Sequence, residues 1–210
     1  MNREIISSLT HLIGALLSIA GLVLLVVFAV KNGDSWQITS FSLFGASLIL
    51  AYFASAFYHI AHKEGRKKEV LRRVDHAMIY VLIAGTYTPI TLVPLRGGWG
   101  WSLFGVIWGL AIIGIIWKLL NLHMPGWISS IIYLLLGWLI IIAIVPLFHL
   151  ISLAGFLWLL GGGLSYSAGV IFFGLGEILP TKKWFGMHEI FHLFVMLGSF
   201  CHWWMMFWYV

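Results

Sequence analysis

Charge is what this sequence has least of: Asp, Glu, Lys and Arg make up 9% of its 210 residues, against about 25% in a typical soluble domain. With 61% hydrophobic residues, a water-soluble fold of this length would lack the polar surface to cover its core, so the chain reads as an integral membrane protein. Cysteine is nearly absent. The single residue, Cys201, excludes an internal disulfide framework and a zinc site built from thiolates. No soluble domain, low-complexity tail or strong internal repeat is visible. The first apolar run has no small-residue cleavage site and is long enough to span, so it reads as a membrane helix rather than a cleavable signal peptide.

What is present is a series of apolar stretches of about 20 residues, the length that crosses a bilayer core as a helix. Seven are read: Leu9–Val30, Ile38–Ala61, Val74–Leu95, Trp101–Leu120, Ile128–Leu147, Leu153–Leu175 and Met187–Trp208. The expected fold is therefore all-α, one seven-transmembrane helix bundle over residues 1–210. Between the fifth and sixth spans, Pro146 to Ser152 is the only break.

Lys and Arg in short loops set orientation. Arg3, Lys63, Arg66, Lys67, Lys68, Arg72, Arg73, Lys118, Lys182 and Lys183 fall on one side, and only Lys31 and Arg96 on the other. That bias predicts a cytoplasmic N-terminus and an external C-terminus, and a gained or lost span would scramble it. The net charge of +5 then follows from topology and attraction to anionic lipid. Membrane lipid is the expected partner, and nucleic acid is not. Trp36, Trp99, Trp101, Trp127, Trp184 and Trp208 are placed for interfacial belts.

Against this apolar background a few polar residues converge at the basic ends of the spans. His59 closes the second span, and Ser55 lies four residues earlier on the same helix face. Asp75 and His76 open the third span just after the basic loop. His188 and His192 open the seventh, one turn apart, so both rings can address one ion. Ionisable groups inside a membrane persist mostly where they have a function. Three imidazoles with one position left open describe a catalytic zinc site, and zinc brings the pKa of water down to about 7. In that reading His59, His188 and His192 are the ligands. Asp75 accepts a proton from the attacking water or orients it, and Ser55 hydrogen-bonds a reacting carbonyl.

Simpler roles exist for the same residues. His11, His62, His123 and His149 read as interfacial or capping groups, and His76, about 100° round the helix from Asp75, is as well explained by packing. Asp75 alone would suit a helix N-cap or an ion pair with Arg72 or Arg73. Ser55 alone would suit a packing residue bonded to the preceding turn. His202 shares a face with His188 but lies about 21 Å further along the axis, too far to ligate the same ion.

Taken together, Ser55–Ala–Phe–Tyr–His59, Arg73–Val–Asp75–His76 and His188–Glu–Ile–Phe–His192 resemble the hemolysin III proteins. These are the bacterial branch of the progestin and adipoQ receptor family, in a superfamily with the alkaline ceramidases. Glu4, Thr10–His11–Leu12–Ile13–Gly14 and Ala84–Gly85–Thr86–Tyr87–Thr88–Pro89 are also similar to the bacterial branch. The resemblance runs from the first span to the last. It implies a bacterial plasma-membrane protein with zinc on the cytoplasmic side, held by His59, His188 and His192. Asp75 would stand beside the zinc-bound water and Ser55 one turn from the first ligand. In the receptor branch this arrangement is attributed to hydrolysis of a lipid amide such as ceramide; bacterial members are named for hemolysis and linked to membrane-lipid homeostasis.

Other chemistries fit less well. His188–Glu189–Ile190–Phe191–His192 matches the H-E-x-x-H pattern of metalloproteases, but the Leu-Asp-Gly setting of an intramembrane zinc protease is missing. The His188 to His202 spacing suits two stacked haems, yet no second helix carries the matching pair. The leading expectation is a zinc-dependent hydrolase of a lipid amide or ester. The alternatives are a cytolytic protein without turnover and a lipid sensor in which the metal only cross-links helices.

Overall fold

The computed structural model describes residues 3–61, 65–179 and 185–210; His62, Lys63, Lys182, Lys183 and Trp184 lie outside the described residues. Among the described residues the regular elements are all helices, in the order α1 (Arg3–Asn32), α2 (Ser35–Ile60), α3 (Arg66–Leu92), α4 (Gly98–Leu119), α5 (Gly126–Gly137), α6 (Ile144–Leu150), α7 (Leu153–Ile178) and α8 (Met187–Tyr209). A 3₁₀ stretch, Trp138–Ala143, joins α5 to α6. Among the described residues, six segments are long and apolar enough to cross a membrane, with Gly126–Leu150 counted as one. The seventh rod, α3, has 27 residues, about 40 Å at 1.5 Å per residue, and so outreaches a core of about 30 Å. Its apolar signal is weaker chiefly because its N-terminal part carries Arg66, Lys67, Lys68, Glu69, Arg72, Arg73, Asp75 and His76, and to a lesser degree because of Thr86, Thr88 and Thr91. Each of these hydroxyls donates to the carbonyl four residues back, at 2.8–2.9 Å, so none needs water.

Helix starts are fixed locally. The Asp34 carboxylate accepts from the Trp36 and Gln37 amides while the Gln37 side chain accepts from the Asp34 amide, a capping box that opens α2. Ser152 accepts from the Gly155 amide at the start of α7. The beginning of α3 departs from expectation: it starts at Arg66, not Val74. The basic run is therefore largely helix rather than loop. Glu69 draws Arg72 and Arg73 onto itself at 2.9 and 3.1 Å, the three- and four-residue spacings that stabilise a helix turn. Asp75 consequently lies well inside α3. The N-cap alternative is excluded, and the two arginines are bonded to Glu69 instead.

The helical ladder of the fifth crossing is interrupted by a side chain from α3. The Tyr87 hydroxyl accepts the Ile140 amide at 2.7 Å and faces the carbonyls of Leu136 at 3.1 Å and Gly137 at 2.7 Å. It is inserted where the helix would bond Ile140 to Leu136, an established cause of a helix kink. Pro146, with no amide hydrogen, removes a further bond just beyond.

Packing runs α1 on α2, α2 on α3 and α3 on α4, with α7 on α8, and α8 returns against α1. Phe41, Phe44, Leu48, Ile107, Met205 and Met206 are among the buried core, while Leu16, Leu17, Val30, Ile113, Val145 and Ile171 are exposed. Apolar residues inside and outside are what a bundle immersed in lipid requires. At one end Asp34 meets Arg96 at 3.4 Å, and Gln37 donates to the Val210 carbonyl at 2.8 Å. At the other, Glu4, Lys68, His59 and His188 come together. α1, α3 and α8 thus run one way and α2 the other.

Candidate metal centre

The end that gathers the basic residues also gathers the histidines. His59 stands in the last turn of α2, and His188 and His192 stand one turn apart at the start of α8. One ligand nitrogen from each lies within 4.8 Å of the others. His59 Nε2 and His188 Nε2 are 3.2 Å apart. Two nitrogens bound to a tetrahedral zinc at about 2.0–2.1 Å stand about 3.3 Å from each other, so the spacing of this one pair fits a shared cation as well as a direct ring-to-ring hydrogen bond. Among the described residues, no carboxylate and no cysteine joins the three-nitrogen set. An all-imidazole set suits zinc and leaves a fourth position open.

Ser55 and Asp75 are brought to each other: the Ser55 hydroxyl donates to the Asp75 carboxylate. Ser55 is buried and one turn from His59, so the pair sits beside the histidines without entering the ligand set. His76 is only partly buried, and its carbonyl accepts from Tyr133 at 3.1 Å. His202 is buried deeper in the bundle, its ring 5.5 Å from Tyr166, and contributes no nitrogen to the set.

The residues that sequence reasoning passed over lie on α1. Glu4 Oε2 is 3.2 Å from His59 Nδ1 and 3.3 Å from Lys68 Nζ. Ser7 donates to Glu189 at 2.8 Å, and the other Glu189 oxygen accepts the Gly186 amide at 2.7 Å. Glu189, which is 1% exposed, therefore closes the first turn of α8 and ties it to α1. Thr10 Oγ1 lies 3.1 Å from His192 Nδ1. His11 is no interfacial residue: it is buried, and its ring stacks on His192 at 3.6 Å between centroids. The available signal was the spacing of Glu4, Ser7, Thr10 and His11, which puts all four on one helix face.

Phe173 and Phe191 flank His188 at 6.0 and 5.9 Å between ring centroids, giving the site an apolar wall on its α7 side. A buried, histidine-lined end of a lipid-facing helical bundle defines a polytopic membrane protein with a candidate metal centre.

Comparison with known proteins narrows the class. The family described as "Haemolysin-III related" matches residues 1–203. The chain is 42% identical over 200 residues to the "Hemolysin-3 homolog" of Bacillus subtilis (strain 168), covering 95% of this chain and 90% of that protein. It is also 42% identical over 199 residues to "Hemolysin-3" of Bacillus cereus, covering 95% and 88%. The chain belongs to the hemolysin III family, and it is a multi-pass bacterial membrane protein.

Proposed function

We propose that this protein is a zinc-dependent hydrolase of a membrane lipid amide or ester, working on the cytoplasmic side of the bilayer. The observation that carries this reading is the 3.2 Å separation of His59 Nε2 and His188 Nε2 inside a three-histidine set. When bound there, zinc would polarise the scissile carbonyl and make water acidic enough to attack near neutral pH. His59, His188 and His192 hold the ion. Asp75 takes the proton released as the water oxygen bonds to the acyl carbon, and returns it to the departing amine or alkoxide. Ser55 orients that carboxylate, because its hydroxyl is already committed to Asp75. A lipid enters sideways between helices, and the apolar interior of the bundle receives its acyl chain. The progestin and adipoQ receptor and alkaline ceramidase resemblance supports the same chemistry.

Metal analysis of purified protein tests the first half: about one zinc per chain, lost in His59→Ala and His188→Ala. If those variants keep full metal content, the ligand assignment is wrong. Asp75→Ala tests the second half: it should hold zinc while hydrolysis of lipid amide and ester substrates falls at least about 100-fold, the scale of a lost general base. Turnover equal to wild type would remove the enzymatic reading. The relatives' printed name, Hemolysin-3, favours membrane lysis as a second reading. Dye release from liposomes that is unchanged after chelation of the metal would select it.

A further inference from the structure

We propose that Glu4 and Thr10 of α1 are positioning residues that fix His59 and His192 as Nδ1–H tautomers, leaving both Nε2 lone pairs for one divalent cation. This rests on the metal reading above and adds to it a part for the first helix. A carboxylate only accepts, so the 3.2 Å contact of Glu4 Oε2 with His59 Nδ1 places the proton on Nδ1. His59 Nε2 is then the nitrogen that faces His188. Thr10 donates its own hydroxyl to the Ser7 carbonyl at 2.8 Å. Its oxygen, 3.1 Å from His192 Nδ1, is left to accept. The Glu4 contact thus requires the Nδ1–H tautomer of His59, and with its hydroxyl on Ser7 the Thr10 oxygen favours the same tautomer of His192. Metal-bound imidazoles commonly donate the remote N–H to a carboxylate or other acceptor, which fixes the ring and raises its basicity.

An interfacial anchor would present all its polar groups to water, whereas α1 buries Ser7 and His11 and holds the 45%-exposed Glu4 carboxylate on His59 and Lys68. Ser7 is 2% exposed and His11 5%, and the Ser7 hydroxyl reaches Glu189, between the two α8 histidines. One face of α1 thus touches every element that supplies a ligand: α2 through Glu4, and α8 through Ser7, Thr10 and His11. Lys68 shares the Glu4 oxygen with His59, so α3 is tied into the same arrangement.

The test is zinc affinity of the full chain in detergent, by competition with a chromophoric chelator, together with the visible spectrum of the cobalt(II) form. Glu4→Ala and Thr10→Val should each bind zinc about 10–100-fold more weakly than wild type, with weakened tetrahedral cobalt bands. Glu4→Gln keeps an acceptor oxygen and should recover most of the affinity, which a merely structural role for Glu4 does not predict. The melting temperature of the chelated proteins shows whether each variant is folded. If Glu4→Ala unfolds, Thr10→Val and Glu4→Gln still decide. Wild-type affinity and spectrum in the folded Glu4→Ala and Thr10→Val variants would overturn the proposal while leaving the metal centre in place. A wild type that binds no zinc would overturn both. Zinc binding without lipid hydrolysis would remove the hydrolase alone.

Discussion

Glu69 holds Arg72 and Arg73 together on the first turns of α3, and their guanidinium groups bring its carboxyl down from the ordinary 4.5 to about 2. A carboxylate whose folded pKa is depressed contributes stability above its unfolded pKa and loses it as pH falls through the folded value. The cluster is exposed to solvent, so the effect is small and screened by salt. Wild type should melt slightly above Glu69→Gln at neutral pH and low salt, and the gap should close between pH 4.5 and 2. A gap that persists at pH 2 would mean that Glu69 acts through packing. Legibility at this scale was uneven. The three clustered histidines stood out because imidazoles rarely lie in membrane helices without a role. Glu4, Ser7 and Thr10 did not, because polar residues near a helix start usually serve as caps or face water, and only tertiary packing turns them inward.

Helix α3 shows how an element is shaped by contacts that its own residues do not announce. Tyr87, inside the family-like stretch Ala84 to Pro89, gives its hydroxyl to the interrupted ladder of the fifth crossing. Tyr87→Phe leaves the Ile140 amide and the Leu136 and Gly137 carbonyls without that partner in an apolar interior. We expect a loss of about 1–3 kcal/mol, the cost of unsatisfied buried polar groups, measured by unfolding in detergent. A variant as stable as wild type would show that the crossing closes its own ladder. Pro146 marked a weak point in the sequence, but the 3₁₀ stretch begins at Trp138. The reason lies on another helix, beyond the reach of local periodicity. The early start of α3 was hidden for a related reason: a run of basic residues reads as loop until Glu69 is seen to pair it at helical spacing.

For the whole molecule, the most informative signals were the crudest ones, length of apolar run and sign of charge. They depend on transfer of side chains into lipid, not on packing detail, which is why the rod count was legible while the partner of each rod was not. The proposed orientation places Lys67 inside and Asn32 outside, both exposed. In intact cells, a membrane-impermeant maleimide should modify Asn32→Cys at once and Lys67→Cys only after permeabilisation. The native Cys201 is buried and should stay silent. Labelling in the opposite order would invert the assignment of sides.

Helices α2 and α8 run antiparallel and are joined at both extremities, Gln37 to Val210 and His59 to His188. The intervals are equal: 59 minus 37 and 210 minus 188 both give 22 residues. The two rods act as the arms of a calliper, with a gauge length set by residue count. Inserting one alanine midway along either arm would advance its far jaw by about 1.5 Å and swing it by about 100°. A residue added to one arm therefore breaks one of the two junctions unless the other arm is lengthened to match.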